Sequence, residues 1–335
     1  MRNLSKKQAI KVLKEHGTAL MRRNPNWDHI SVIKDQECLG YVFSVGTYDL
    51  SKEAVILGID ELSVEKSISK GLPIPRMLPL LDFNHEKFEG IFPPTGGFVN
   101  LKLHQIEIAL PPGNSGDDKQ VFKPMVGVDL AKRPNELAGA LGGFIEASNV
   151  LNNDTKCFAI TAYHVLKGLC VGDNVYSPAD SETVLGQLCW YLYDGVADIA
   201  LIEVEKDKVN TGSKCGFSLG SDLATLPVDG KVKICSQVKL GKEIHGVIVS
   251  EYSVIRETKG SDDLLSEVRE ITTTDMASGG DSGSLVLNTN NEVVGLLVKD
   301  LDLRNSFFIT LDILKKELKT EENEHTITIK FNRFI

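Results

Sequence analysis

The chain has 335 residues, 42% of them hydrophobic and 25% charged, with a formal charge of −9 and a pI near 5.4. These values sit near the averages of soluble globular proteins, which excludes a fibrous or wholly disordered chain, and the length suits two domains. Phosphate contacts need clustered Lys and Arg, and an acidic chain without a basic stripe is not built for them, so no nucleic-acid partner is expected.

The first residues, Met1 to Gln8, lack the apolar run of a secretory leader, and no stretch is long enough to cross a bilayer. A cytoplasmic protein with no membrane association is expected. Ser5 and Gln8 make a capping box, and Ile10, Leu13 and Leu20 follow at near-helical spacing before Arg22, Arg23 and Asn24-Pro25, so a helix is predicted with both ends marked. Strand-like runs follow at 29–34, 40–46 and 54–58, then a helical pattern at 63–70, a Pro-containing stretch at 73–79, a Phe92-Pro93-Pro94 loop and alternating residues over 99–110. Residues 1–110 read as a small α+β domain of unassigned function. Pro111-Pro112-Gly113-Asn114-Ser115-Gly116-Asp117-Asp118 joins turn formers to charge and reads as a linker, 111–118.

Beyond the linker, 119–320 changes to short apolar runs broken by Gly, Asn, Asp and Ser, at 141–146, 157–162, 184–192, 199–204, 231–237, 247–255, 267–274, 284–287, 293–298 and 307–310. Many short strands with frequent turns predict an all-β barrel or sandwich. Leu311, Leu314 and Leu318 suggest a closing helix, and the tail 321–335 contains an alternating stretch, 325–331, suited to an edge strand. Six dispersed cysteines show neither CxxC nor zinc spacing, so reduced thiols, no metal and no cofactor are expected.

Three segments carry chemistry. In Ser278-Gly279-Gly280-Asp281-Ser282-Gly283-Ser284 a serine stands among glycines just before an apolar strand, where a chain bend can aim N–H groups at a carbonyl oxygen. A plain hairpin turn has the same composition. His164 ends the apolar run Cys157 to Ala162, and an imidazole at such an edge can titrate near neutrality or simply satisfy a backbone carbonyl. Asp198 heads the apolar run Ile199-Ala200-Leu201-Ile202, where a carboxylate needs a partner or opens a turn. A hydroxyl becomes a useful nucleophile when a base takes its proton, a carboxylate holds that base in one tautomer, and donors await the oxyanion. His245, in a hairpin-like approach to a strand, reads as structural, and Asp194, in the Tyr193-Asp194-Gly195 turn, is the weaker orienting candidate.

Thr161-Ala162-Tyr163-His164, Asp198-Ile199-Ala200-Leu201 and Gly280-Asp281-Ser282-Gly283, in that order, resemble the T-A-x-H, D-I-A-L and G-D-S-G motifs of the trypsin/chymotrypsin-like serine proteases, over about residues 121–318. The resemblance implies a two-barrel chymotrypsin-like domain with Ser282 as nucleophile, His164 as general base and Asp198 orienting it. It further implies backbone N–H groups of Gly280 and Ser282 as the oxyanion hole, with Met276, Ala277 and Leu297 lining the substrate pocket. Met276 stands where trypsin-type members keep an acid, so an uncharged aliphatic or small residue before the cut is expected. Val165 follows His164 where secreted members have a disulfide cysteine, and no zymogen cleavage motif is visible, which resembles intracellular or bacterial members. The implied function is a serine endopeptidase acting on a protein or peptide substrate, with regulation by a partner through residues 1–110 as a further expectation. The alternative is an inactive module of the same fold used for protein binding.

Overall fold

Helix α1 spans Lys6–Arg23, and both ends are made by the residues the sequence marks. The Gln8 N–H donates to Ser5 Oγ at 3.4 Å while the Ser5 N–H donates to Gln8 Oε1 at 2.9 Å, a reciprocal capping box. At the other end the Asn24 side-chain amide donates to the Leu20 carbonyl at 2.8 Å. The computed structural model describes residues 4–35, 40–51, 65, 70, 74–80, 97–105, 129–130, 139–149, 155–177, 180–205, 225–236, 242–257, 261–273, 280–300, 305–312 and 327–331. The chain divides into two units, Met1–Ile108 with Val249–Glu270, and Ala109–Ile248 with Ile271–Ile335.

In the first unit the apolar stripe of α1, Ala9, Val12, Leu13, Leu20 and Met21, packs against Trp27, Ile30, Val32, Phe43, Val45 and Leu50, joined by Tyr252 and Val254. The sheet beneath consists of β1 (Trp27–Asp35), β2 (Gly40–Thr47), β3 (Ile74–Leu80) and β4 (Gly97–Gln105). β1 and β2 are antiparallel, β2 and β4 run parallel with Phe43 opposite Leu101, and β3 closes the edge antiparallel to β4. On its other side β1 receives Ser253, Val254 and Ile255 opposite Ser31, Ile30 and His29. This unit is therefore α+β. The stretch 249–270, which the sequence division places in the second segment, belongs to the first unit.

The second unit is β throughout its described strands. β5 (Asp129–Leu130) pairs with β6 (Gly139–Ala140). β7 (Gly143–Asn149), β8 (Thr155–Thr161), β9 (Asn174–Ser177), β10 (Asp180–Tyr193), β11 (Asp198–Val204) and β18 (Ile327–Phe331) form a six-stranded sheet in the order β18-β7-β8-β11-β10-β9. The strand near the chain's end, β18, is its edge strand, antiparallel to β7. β12 (Lys231–Ser236), β13 (Lys242–Arg256), β14 (Leu264–Thr273), β15 (Leu285–Asn288), β16 (Val293–Asp300) and β17 (Asn305–Thr310) follow one another as β12-β15-β16-β17-β14-β13, and a β12–β13 pairing closes the ring; of β13 and β14 only residues 242–248 and 271–273 belong to this unit, the rest to the first. Closure removes the exposed edges that an open sheet would leave. The core here is Val232, Ile234, Ile244, Ile271, Val286, Val294, Leu297 and Phe308.

Residues 74–79 of the Pro-containing stretch belong to strand β3, a difference from the sequence reading. Pro75 and Pro79 lack the N–H a central strand needs, and β3 tolerates them because it is the last strand of its sheet. The expected strand 54–58, the helical pattern 63–70 apart from Glu65 and Lys70, the linker 111–118 and the helix 311–318 beyond Asp312 lie outside the described residues. Among the described residues no helix is long and apolar enough to cross a membrane.

Candidate active site

His164 and Asp198 meet because of strand register. β8 and β11 are antiparallel with Thr161 opposite Ala200, so two residues further along, position 163 comes level with Asp198. There β8 ends and the chain turns into a single 3-10 turn, Tyr163–Leu166, which sets His164 over the carboxylate. Asp198 Oδ1 accepts the His164 backbone N–H at 2.9 Å and Oδ2 lies 2.5 Å from His164 Nδ1. The Asp198 side chain is 1% exposed and that of His164 27% exposed. A buried carboxylate that accepts from Nδ1 fixes the tautomer, leaving the lone pair of the neutral ring on Nε2. Asp194, the second orienting candidate, instead accepts the N–H groups of Val196 and Ala197, both at 2.9 Å, and shapes the loop that delivers Asp198.

The turn is bracketed by aromatic rings. Tyr163 stacks on Tyr191 with centroids 4.1 Å apart and planes 13° from parallel, and Tyr193 tilts against Tyr163 at 5.3 Å. Burial, then the neighbouring Tyr191 phenol, pushes the Tyr163 phenol above its ordinary pKa. The sequence reading missed this group. Its signal was Tyr191 and Tyr193 two apart on one strand, so that both rings fall on one face of the sheet.

The serine loop is built on close backbone approach. Gly280 and Gly283 have φ of 110° and 97°, in the region that favours glycine. Asp281 is fully buried and its carbonyl accepts from Ser284 N–H at 3.0 Å. Gly283 N–H donates to the Leu297 carbonyl and Leu297 N–H to that of Ser284, both at 2.8 Å, which ties the loop to β16. On its other side Ala140 N–H donates to the Ser282 carbonyl at 2.7 Å, and Thr161 Oγ1 donates to the Ala140 carbonyl at 2.9 Å. A Cβ on Gly139 would lie 2.5 Å from a Val165 methyl and 2.7 Å from the Ser282 carbonyl oxygen. Gly139 therefore touches both the residue after His164 and the backbone of Ser282, and the two motifs meet across it. The expected run 141–146 begins as a strand only at Gly143, because Leu141 and Gly142 lie between β6 and β7.

Leu297, expected on the pocket wall, is fully enclosed in the apolar core of the barrel. What it presents to the serine loop is its backbone, whose carbonyl accepts from Gly283 N–H and whose N–H donates to the Ser284 carbonyl. Met276 and Ala277 lie outside the described residues. His245 is exposed and lies 3.7 Å from Glu243 on β13. Among the described residues no cluster of His, Cys, Asp and Glu could hold a metal ion.

No protein-family model matches the chain. Among solved structures it is similar to a glutamic acid specific serine protease described as utilizing a histidine triad in substrate binding, with a TM-score of 0.46 and 11% identity over 62% of this chain and 100% of that one. It is also similar to the alpha-lytic protease homolog N4, with a TM-score of 0.44 and 13% identity over 62% of this chain and 99% of that one. A third similar structure is the MamO protease domain from Magnetospirillum magneticum, with a TM-score of 0.36 and 12% identity over 53% of this chain and 96% of that one.

Proposed function

We propose that the chain is a serine endopeptidase of the chymotrypsin type. His164 Nε2 takes the proton of Ser282 Oγ as the oxygen adds to a peptide carbonyl. Asp198 holds the Nδ1–H and balances the imidazolium that forms. Backbone N–H groups of Gly280 and Ser282 receive the oxyanion. His164 then gives its proton to the leaving amine, and water, activated by the same ring, releases the acyl group from Ser282. The observation that carries the reading is the double hold of Asp198 on His164, through the backbone N–H and Nδ1 at once.

Among the described residues Cys157, Cys170 and Cys189 form no disulfide, which suits a reducing, cytoplasmic setting. The first unit is the proposed place for regulation by a partner. A fluorophosphonate probe, which phosphonylates an activated serine, tests the chemistry directly. The wild-type chain is expected to be labelled and Ser282→Ala to stay unlabelled, with the modified peptide containing Ser282 by mass spectrometry. A folded wild-type chain that takes no label would leave the binding-module alternative.

A further inference from the structure

We propose that Tyr163, Tyr191, Tyr193 and Lys167 form an aromatic and cationic clasp that positions His164 on Asp198. The proposal rests on the reading of His164 as the base. The four residues straddle the histidine on both sides: Tyr163 immediately precedes it, and Lys167 N–H donates to the His164 carbonyl at 3.3 Å. Tyr191 and Tyr193 come from β10, the strand paired with the one that Asp198 heads. Tyr193 lies directly opposite Asp198, and Tyr191 opposite Ala200.

The contacts close a loop through space. The stacked Tyr163 and Tyr191 rings hold the start of the 3-10 turn against β10. Its end is held by Lys167, whose Nζ lies 3.1 Å from the Tyr193 hydroxyl and 5.0 Å from its ring centroid. The ammonium sits at the hydroxyl end of the ring, and its donation to the phenol oxygen makes the hold. The imidazole is thus carried on a turn fastened at both ends to the strand beside its carboxylate partner. A 3-10 turn of four residues has poor hydrogen-bond geometry of its own, and needs such outside support to hold one side chain in one orientation. Tyr163 is 8% exposed, which leaves its ring little freedom, and Tyr191, 40% exposed, lies flat against it in the stack. These four are positioning residues: nothing in the proposed chemistry passes through them.

The test reads the His164–Asp198 bond itself, apart from catalysis. In Ser282→Ala, which cannot turn over, proton NMR should show a far-downfield imidazole Nδ1–H resonance, assigned by its loss in Ser282→Ala carrying Asp198→Asn. Adding Tyr191→Leu with Lys167→Met should broaden or abolish that resonance while the amide spectrum stays folded. Tyr163→Phe, which keeps the stacked ring, should retain it. In the Ser282 chain the same pair of substitutions should lower the limiting rate of fluorophosphonate labelling about tenfold or more, with little change in the probe concentration for half-maximal rate, since misplacement of a catalytic group acts on the chemical step. Should Tyr191→Leu with Lys167→Met fail to fold, Lys167→Met alone, at an exposed side chain, carries the same expectation in smaller degree. A downfield resonance unchanged in a folded clasp variant overturns the proposal, whether or not Ser282 proves reactive. An unlabelled wild type whose resonance still depends on the clasp would sink the protease reading and leave the clasp standing.

Discussion

Both oxygens of Asp198 are spent on His164, which is how a carboxylate almost without solvent can head an apolar strand: two donors offset the lost hydration. That need was legible in the sequence as one of two readings, since a carboxylate before Ile199-Ala200-Leu201 either needs a partner or opens a turn. Ser282 and His164 were legible through their flanking residues. The support around them was not, since Ala140 reaches Ser282 from a distant part of the chain and no local pattern announces it. Gly283 shows what that support demands. Its φ is positive, and a Cβ there would lie 2.3 Å from Thr161 Oγ1 and 2.4 Å from the Ala140 carbonyl oxygen. The carbonyl is backbone and cannot swing aside, so Gly283→Ala is expected to cost about 3 kcal/mol or more. Gly172→Ala, with φ of +98° and nothing within 4 Å, carries only the backbone penalty of about 1–2 kcal/mol. Denaturant midpoints of the two variants check the contrast, and equal losses would refute the packing account.

Titration gives a second expectation at this scale. Burial, with Glu203 adding, pushes the Cys189 thiol from 9.0 to about 11, and burial, with Glu267 adding, pushes Tyr252 from 10.0 to about 12. Burial and the Asp28 carboxylate together drive Tyr48 further up still. For each group the folded chain holds its proton where the unfolded chain has lost it. The stability they contribute is complete below pH 9 and is lost as pH rises from 9 towards 12. Denaturant unfolding across that range should show a steady alkaline loss; a flat profile would contradict these environments.

At the scale of elements, the strands with clean apolar runs were legible and their partners were not. The run 29–34 reads as a strand, and so does 247–255, yet nothing local says that His29, Ile30 and Ser31 lie opposite Ile255, Val254 and Ser253. β1 is buried along nearly its whole length, so alternation, the signal that assigns a face to a strand, is absent from it. β3 failed for the opposite reason: two prolines argue against a strand, and only its place at a sheet edge makes them harmless. The closed ring β12 to β17 was legible as a class, many short strands with frequent turns, but its order depends on pairings distant in the chain. The site inherits this division. Each motif is local and readable, whereas the β8–β11 register that joins His164 to Asp198 is tertiary.

At the scale of the whole molecule, the first unit is not a contiguous piece of chain. It takes Val249–Glu270 from beyond residue 110, and these residues contribute to both its sheet and its core. Ser253, Val254 and Ile255 pair with β1, Tyr252 and Val254 pack with the helix and sheet, and Ser253 Oγ lies 2.7 Å from Ser31 Oγ. Arg256, 1% exposed, donates from Nε to the Trp27 carbonyl at 3.1 Å and from Nη2 to the Met21 carbonyl at 2.7 Å, satisfying acceptors at the end of α1 and the start of β1. A fragment of residues 1–110 lacks all of these partners. It would expose one edge of β1, open a gap where Tyr252 and Val254 sit, and remove the Arg256 donor from the Trp27 and Met21 carbonyls, the second of which keeps only the 3.3 Å bond from the Asn24 N–H. Small domains hold only about 5–15 kcal/mol in total, so losses of this kind together exceed what the fragment can spare. The fragment is therefore expected to show no cooperative unfolding transition and a collapsed amide proton spectrum, whereas the full chain shows both a transition and wide dispersion. A fragment 1–110 that unfolds cooperatively would mean that 249–270 is an accessory to the first unit and not part of its fold.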